Sequence, residues 1–389
     1  MSSWLFSLVL VFSFVYIFDH AWKVAAIWHF FRQKPAPTPD PWPTLSLIQP
    51  VTAGPNDLMR VLAIRAQNPY PGKLQQIIIC DEGDSVSLTG CMSLMQQFPN
   101  WQPELVLVPS SNGTAAKTVK QLAGLKTATG KVLCFIDDDI LLRPDTLSSL
   151  VLHLQPGIGA TFGLACYINW QTVWGGLMSA FVNANALLNY IPLTYLTQPY
   201  TITGHIYALK KADFDTAGGL SGMEARLDDD HELARRVTRS GLLNRQTPAI
   251  YDVDNELSTL RSFLDQMKRW FVFPKKMMLP YVPLQQKFLT IATSLPNLLP
   301  GLVLAGSFGG NLFSWLALST CLLVFFGVYF YCERSILKTQ TPAWAGPLLL
   351  LVLLVLPFQI LFVLFSDNVI LWRGKRYRVR TGGEYELID

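Results

Sequence analysis

Charge is missing from three long stretches of this chain, and that segregation limits the fold more than any single motif. Residues 4–18, 289–331 and 345–365 carry no Asp, Glu, Lys or Arg. Half of the 389 residues are hydrophobic and only 15% are charged, a composition that puts the apolar excess in a membrane. Residues 45–270 read differently, as an ordinary α/β domain facing water. The net charge of +4 is too small to argue for nucleic acid, and none is expected as a partner. The six cysteines form no CxxC pair and sit in apolar context, so we expect buried thiols on a cytosolic face and no zinc site.

The ends set the layout. "WLFSLVLVFSFVYIF" has no basic residue before it and no small-x-small cleavage site after it, so a retained transmembrane helix over residues 1–33 is expected rather than a signal peptide. Lys23, Arg32 and Lys34 put the next segment in the cytoplasm by the positive-inside tendency. "KPAPTPDPWP" makes residues 34–44 a proline-rich linker. Beyond residue 272, aromatics, Met, Pro and Lys mix as in a headgroup-level segment, and Pro296, Asn297 and Pro300 interrupt the apolar run beyond it. Residues 273–311 are therefore expected to be interfacial or embedded, with a break at "GSFGGN". Residues 312–331 and 346–366 are long enough to span. Residues 367–389 form a basic cytoplasmic tail carrying Arg373, Lys375, Arg376, Arg378 and Arg380. Two crossings keep that tail on the side of the domain.

Within the middle, strands and helices alternate. "TLSLIQPV", "LQQIIICDE", "PELVLVPS" and "KVLCFIDDD" read as strands, separated by "NDLMRVLAIRAQN", "VSLTGCMSLMQQF" and "TAAKTVKQLAGLKTA" as helices, the last opened by Gly113 and Thr114. This spacing implies a Rossmann-like, mostly parallel sheet with helices on both faces, and ligands beyond the carboxyl ends of its strands. Two of those ends carry acids. Asp137 and Asp139 point to one side of an extended strand end and can share a hard divalent cation, Mg2+ or Mn2+, that also holds a diphosphate. The plainer alternative, an Asp capping the next helix, needs only one acid. In "ICDEGDS", Asp81, Glu82 and Asp84 can accept from a nucleotide, or simply make a turn.

A second triple, Asp228 to Asp230, opens the helix "DDHELARRVTRSG", which Gly241 stops. Negative charge is favourable at a helix start, so capping explains most of it, leaving one acid to face the cleft as a general base. In "QMKRW", Gln266, Arg269 and Trp270 share one helical face, where they can hold a diphosphate and cover an acceptor, or anchor the chain at the membrane.

In this order the four elements resemble a GT-A glycosyltransferase of family 2 type. With "LWRGKRYRVRTGG", "LRPDTL" and "DTAGGL", the chain more closely resembles the ceramide glucosyltransferase family, and the hopanoid sugar transferases share much of the pattern. The resemblance covers nearly the whole chain. It implies an α/β GT-A nucleotide-diphospho-sugar transferase fold with N-terminal and C-terminal transmembrane helices, and a GT-A domain over residues 45–272. It also implies an inverting enzyme that moves one sugar, glucose, from a UDP-sugar to a lipid hydroxyl, with hopanoid or diacylglycerol as alternative acceptors. A processive polysaccharide synthase is a further alternative, disfavoured by the few spans. Carried over by position, Asp81, Glu82, Asp84, Lys117 and Asp138 go with the donor, Asp137 and Asp139 with the metal. Asp230 is then the base, with Gln266, Arg269 and Trp270 beside it. Asp138 is the acid of the triplet least needed. The last acid of the triplet is a departure from the animal ceramide enzymes and brings this sequence closer to the wider family. "TGHIYALKK" matches a strand flooring the acceptor site, which brings His205 near. The setting implied is a bacterial inner membrane, or a Golgi or ER membrane, with the catalytic domain in the cytoplasm.

Overall fold

The computed structural model describes residues 3–34, 37–51, 58–109, 116–224, 226, 228–308, 312–372, 375–382 and 384–388. The helix opening at Gly113 and Thr114, part of the "GSFGGN" break, Leu227 and Arg373 lie outside the described residues.

Eight strands form the main sheet: β1 (Leu45–Pro50), β2 (Leu74–Asp81), β3 (Glu104–Val108), β4 (Val132–Ile136), β5 (Ile140–Leu142), β6 (Ile158–Tyr167), β7 (Ile206–Lys210) and β8 (Leu243–Val253). Their order is β3-β2-β1-β4-β7-β6-β8-β5. The first four run parallel, as the strand-helix alternation requires. β7 enters antiparallel between β4 and β6, and β5 closes the far edge antiparallel to β8. β2 shows why its run is apolar throughout. Ile77 and Ile79 pack with Leu122 and Leu125 of the helix Ala116–Leu125, while Ile78 and Cys80 face Leu58, Leu62, Cys91 and Leu94 on the other side. A strand covered on both faces has no solvent side to make polar. Each such side chain contributes about 1.5–3 kcal/mol of burial.

The helix Val173–Leu196 opens with Thr172 accepting from Gly175 N–H at 2.9 Å. Its Asn183 amide holds both backbone groups of Tyr167 at 2.8 Å, which pins the end of β6. The helix Leu260–Phe273 starts from a capping box of Thr259 and Ser262.

Three helical stretches are long and apolar enough to cross a bilayer: Phe6–Phe31, Leu284–Ser307 and Leu312–Leu337. Leu284–Ser307, read from sequence as an interrupted segment, stays helical by tightening into a 3-10 turn at Leu295–Leu298. Lys23, paired with Asp19 at 2.7 Å, donates to the carbonyl of Thr293 just before that turn, also at 2.7 Å. An intramembrane cation needs such partners. Ala343–Leu354 and Leu356–Phe365 meet at a bend of 48°. Pro357 explains it, having no N–H to give and a ring that crowds the preceding turn.

The contacts at the ends of these segments are informative. Phe6 and Phe313 touch at one extreme, ring centroids 6.3 Å apart, where Ser307 Oγ also donates to Ser314 O at 3.0 Å. At the other, Arg143 of the α/β domain donates to Leu337 O at 2.7 Å, and His29 meets the Tyr195 hydroxyl at 2.7 Å. After the bent pair, Lys275 donates to Ser366 O at 2.9 Å and Lys268 pairs with Asp367. The basic C-terminal segment then folds. It forms an antiparallel sheet of β9 (Val369–Trp372), β10 (Lys375–Val379) and β11 (Tyr385–Leu387). Ile370, Tyr377 and Val379 pack on Val272 and Met277, at the end of the helix that carries Gln266, Arg269 and Trp270.

Candidate active site

The acid triplet follows β4 and turns the chain into β5. Its shape is held from below by Arg65, whose guanidinium is fully buried and donates to the carbonyls of Asp137 at 2.7 Å and Ile140 at 3.0 Å. Burial pulls this arginine down to about 9, against the three acids that hold it up. From the side, Asp137 N–H donates to His205 O at 2.9 Å, joining the triplet to the start of β7. The Asp137 carboxylate pairs with Lys117 at 2.7 Å. Asp139 keeps a buried Oδ1 with no hydrogen-bond partner among the described residues. Burial pushes both acids up to about 6, Lys117 opposing this and Asp139 adding to it at Asp137, Asp138 adding to it at Asp139.

The second triple divides its work. Asp228 accepts two hydrogen bonds from Arg226 at 2.9 Å, and Glu232 pairs with Arg235 at 2.6 Å and Arg236 at 3.2 Å. These acids hold the start of the helix Asp229–Arg239. The other two reach the triplet through Lys117, whose ammonium lies 3.8 Å from Asp229 and donates to Gly204 O at 3.2 Å. Burial depresses the Lys117 ammonium, but Asp137 and Asp229 more than restore it, leaving it raised. Asp230 lies against Gly204 and is pushed up to about 7 by burial and by Asp229. Glycine leaves room for this carboxylate: a Cβ on Gly204 would stand 2.6 Å from Asp230 Oδ2. Gly204→Ala is therefore expected to displace Asp230 and, with Asp230 as the base that the resemblance implies, to lower kcat by about tenfold or more. Steady-state kinetics beside a melting curve would check this, with Tm little changed.

On the helix Leu260–Phe273, Arg269 is held by Gln266 Oε1 at 2.8 Å, and Trp270 stands edge-on to Tyr167 with centroids 6.0 Å apart. Tyr167 leads to His205, which meets the Tyr251 hydroxyl at 3.1 Å. Burial lowers His205 to about 4, so it is neutral in this wall. Asp81 pairs with Lys120 at 2.8 Å, and Asp84 caps the helix Ser85–Gln97 through Ser87 N–H at 3.0 Å. Each retains one buried oxygen, Asp81 Oδ1 and Asp84 Oδ2, without a hydrogen-bond partner among the described residues. Glu82 is exposed and Asp138 half-buried.

The triplet, Lys117 and Asp230 thus meet in one place, with Arg269 and Trp270 on the Tyr167–His205 side of it. The sequence pattern did not single out Arg65, Gly204, Tyr167 or Tyr251. For Arg65 a signal existed: it continues the buried stripe Leu58, Val61, Leu62 of its helix. Among the described residues no group of three or more His, Cys, Asp and Glu is arranged to hold a metal ion. Asp137 and Asp139 are two carboxylates, and a Mg2+-like ion commonly takes one or two, completing its shell with substrate phosphates and water. The orphaned Asp139 oxygen fits that use.

The profile of glycosyl transferase family 21 matches residues 5–385. The chain belongs to that family. Family 21 membership makes it a glycosyltransferase, and its sheet is of the GT-A kind. A mannosyltransferase from Pyrobaculum calidifontis, solved with GDP-Man and Mn2+, superposes over 90% of this chain and 97% of its own, with a TM-score of 0.52 at 16% identity. That likeness concerns the fold. Two N-acetylglucosaminyltransferases match a shorter stretch of this family 21 chain. The one from Mesorhizobium japonicum is 29% identical over 142 residues, which is 36% of this chain and 32% of that protein. The one from Bradyrhizobium elkanii is 27% identical over 135 residues, 34% of this chain and 71% of that protein. The chain therefore spans about a third of the first of these relatives' length.

Proposed function

We propose that this glycosyltransferase moves one sugar, glucose, from a UDP-sugar to the hydroxyl of a membrane lipid of the ceramide type, inverting the anomeric centre. The observation that carries this reading is the meeting of two acid sets across Lys117: Asp137 on one side, Asp229 beside Asp230 on the other. One set suits the leaving group and the other the attacking oxygen.

In this reading the lipid oxygen attacks the anomeric carbon as the bond to the diphosphate breaks. Asp230 takes the hydroxyl proton, and UDP departs with the bonding electrons. A group near 7 is well matched to that transfer at neutral pH. Arg269, oriented by Gln266, faces the departing charge. Asp81 and Asp84 offer their free oxygens to the nucleotide, with Glu82 and Asp138 at the rim. Trp270 and Tyr167 give the acceptor an aromatic wall. Asp137 and Asp139 would hold Mg2+ or Mn2+, which supplies positive charge to the diphosphate when bound.

The membrane layout proposed with it has the catalytic domain and the C-terminal sheet on one side, the cytoplasm. They pack together, so an even number of crossings separates them. Leu284–Ser307 and Leu312–Leu337 supply an outward and a returning crossing. The bent pair, joined to the domain at both ends, re-enters the same side. Residues 1–33 add the N-terminal crossing.

A second donor, UDP-N-acetylglucosamine, is favoured by the names of the two rhizobial relatives. The deciding assay incubates purified full-length protein in vesicles with UDP-glucose, UDP-galactose or UDP-N-acetylglucosamine. Ceramide, a hopanoid alcohol and diacylglycerol serve as acceptors, and products are read by mass spectrometry. One hexose added to ceramide is expected. A ladder of sugars would point to a processive synthase, and no consumption of any donor would overturn the reading.

A further inference from the structure

A cavity of about 650 Å³ lies away from the acid sets, where the helices Phe6–Phe31 and Leu312–Leu337 reach the catalytic domain. Its walls come from three parts of the chain: Trp28 and Arg32 from the first helix, Arg143 and Asp145 from the domain, Tyr331 and Lys338 from the returning helix. Arg143 is the floor and is fully engaged, its Nε and one terminal nitrogen on Asp252 and the other on Leu337 O. Arg32 and Lys338 are different. Both are exposed, and neither has an ion-pair partner among the described residues. Arg32 sits over the Trp28 ring, its guanidinium carbon 4.3 Å from the ring centroid, a cation–π contact that holds it beside the cavity. Lys338 is held in the left-handed region at φ 52°, a conformation a lysine seldom adopts without a structural reason. Asp145 is the one acid among these lining residues, so two cations face it and the cavity is net positive.

Depth decides the ligand. Both helices are 26 residues long, enough to cross the hydrocarbon, and the cavity opens where they end. That is the level of lipid phosphates, and Trp28 and Tyr331 occupy it as interfacial aromatics do. Basic pockets between membrane helices suit anionic head groups. We infer that this cavity binds the phosphodiester head group of one anionic phospholipid, separate from the lipid that accepts sugar. Such a lipid would bridge the first helix to Lys338 over the Arg143–Asp252 pair, only a few residues beyond the acid triplet.

The test is native mass spectrometry of the full-length protein in detergent, titrated with dioleoyl phosphatidylglycerol or dioleoyl phosphatidylcholine. Wild type should retain one phosphatidylglycerol per chain with a preference of about tenfold or more over phosphatidylcholine, in line with two charge contacts. The double variant Arg32→Gln, Lys338→Gly should lose that preference. Glycine at residue 338 accepts the left-handed backbone, so the variant removes charge without strain. A melting curve in phosphatidylcholine nanodiscs matching wild type would confirm that it is folded. Equal retention of the two lipids by wild type, or undiminished phosphatidylglycerol binding by the folded double variant, would overturn the site. Displacement of the lipid by millimolar inorganic phosphate would overturn the assignment to a membrane lipid, and persistence against it supports that assignment.

Discussion

Asp230→Asn is expected to lower kcat by about 10³-fold, the usual worth of a positioned general base, while leaving UDP affinity close to wild type. Stability should move the other way. The Asp230 carboxyl is raised to about 7 by burial, so the folded protein favours its protonated form. That contribution is complete below the unfolded value near 4 and is lost as pH rises through about 7. A neutral amide escapes the loss, and the variant should melt higher than wild type at pH 8 and no higher at pH 4. The wild-type rate should fall on the acid side of pH 7, and the residual rate of the variant should lack that limb. Wild-type turnover by purified Asp230→Asn would remove this residue from the role.

Metal dependence gives the second large effect. Chelation with EDTA should abolish transfer, and Mn2+ should restore it. Asp139→Asn should cost about 10² or more in rate, in the range seen when a transition-state charge loses its partner. Asp137 and Asp139 are both raised to about 6 without metal. Their protonated forms stabilise the metal-free fold at low pH, and this stabilisation disappears as pH rises from about 4 through about 6. A cation needs the ionised forms, so the rise in Tm on adding Mn2+ should be small at pH 5 and large at pH 7.5. In Asp139→Asn the shift should be small at both. A shift of equal size at both pH values in wild type would place the ion elsewhere.

Much of the site was legible because it is locally encoded. Apolar strands that run into Asp81 and Asp137 announce the carboxyl edge of a parallel sheet, and both lie there. Gln266, Arg269 and Trp270 share a face because helical spacing makes them. The division within Asp228 to Asp230 was not legible. It depends on Arg226, Gly204 and Lys117, which come from three separate segments. Lys117 goes with the donor by resemblance; in the fold it lies between Asp137 and Asp229, where it also counters the charge that the acids would otherwise leave unbalanced. Residues 158–253 gave weaker signals, since β6 pairs with both β7 and β8 across long connections, and register there is a tertiary property. The C-terminal segment carried a signal that its charge concealed. In "RYRVR", Tyr377 and Val379 alternate with arginines, the period of a half-buried strand, and those two residues are the ones that pack inward.

That small sheet has a consequence for how the enzyme is made. The helix Leu260–Phe273 leaves the ribosome long before β9, β10 and β11, yet Val272 and Met277 at its far end pack in one cluster with Val363, Ile370, Tyr377 and Val379, all of which come later in the chain. Domains otherwise tend to fold as units in the order of synthesis. Phe263, Met267 and Trp270 pack on the domain itself, so it is only the far end of this helix that must wait for residues 363–379 to be made. The turn just beyond Gln266, Arg269 and Trp270 is thereby covered last, and a nascent chain that stops before residue 363 carries that helix with its end still bare.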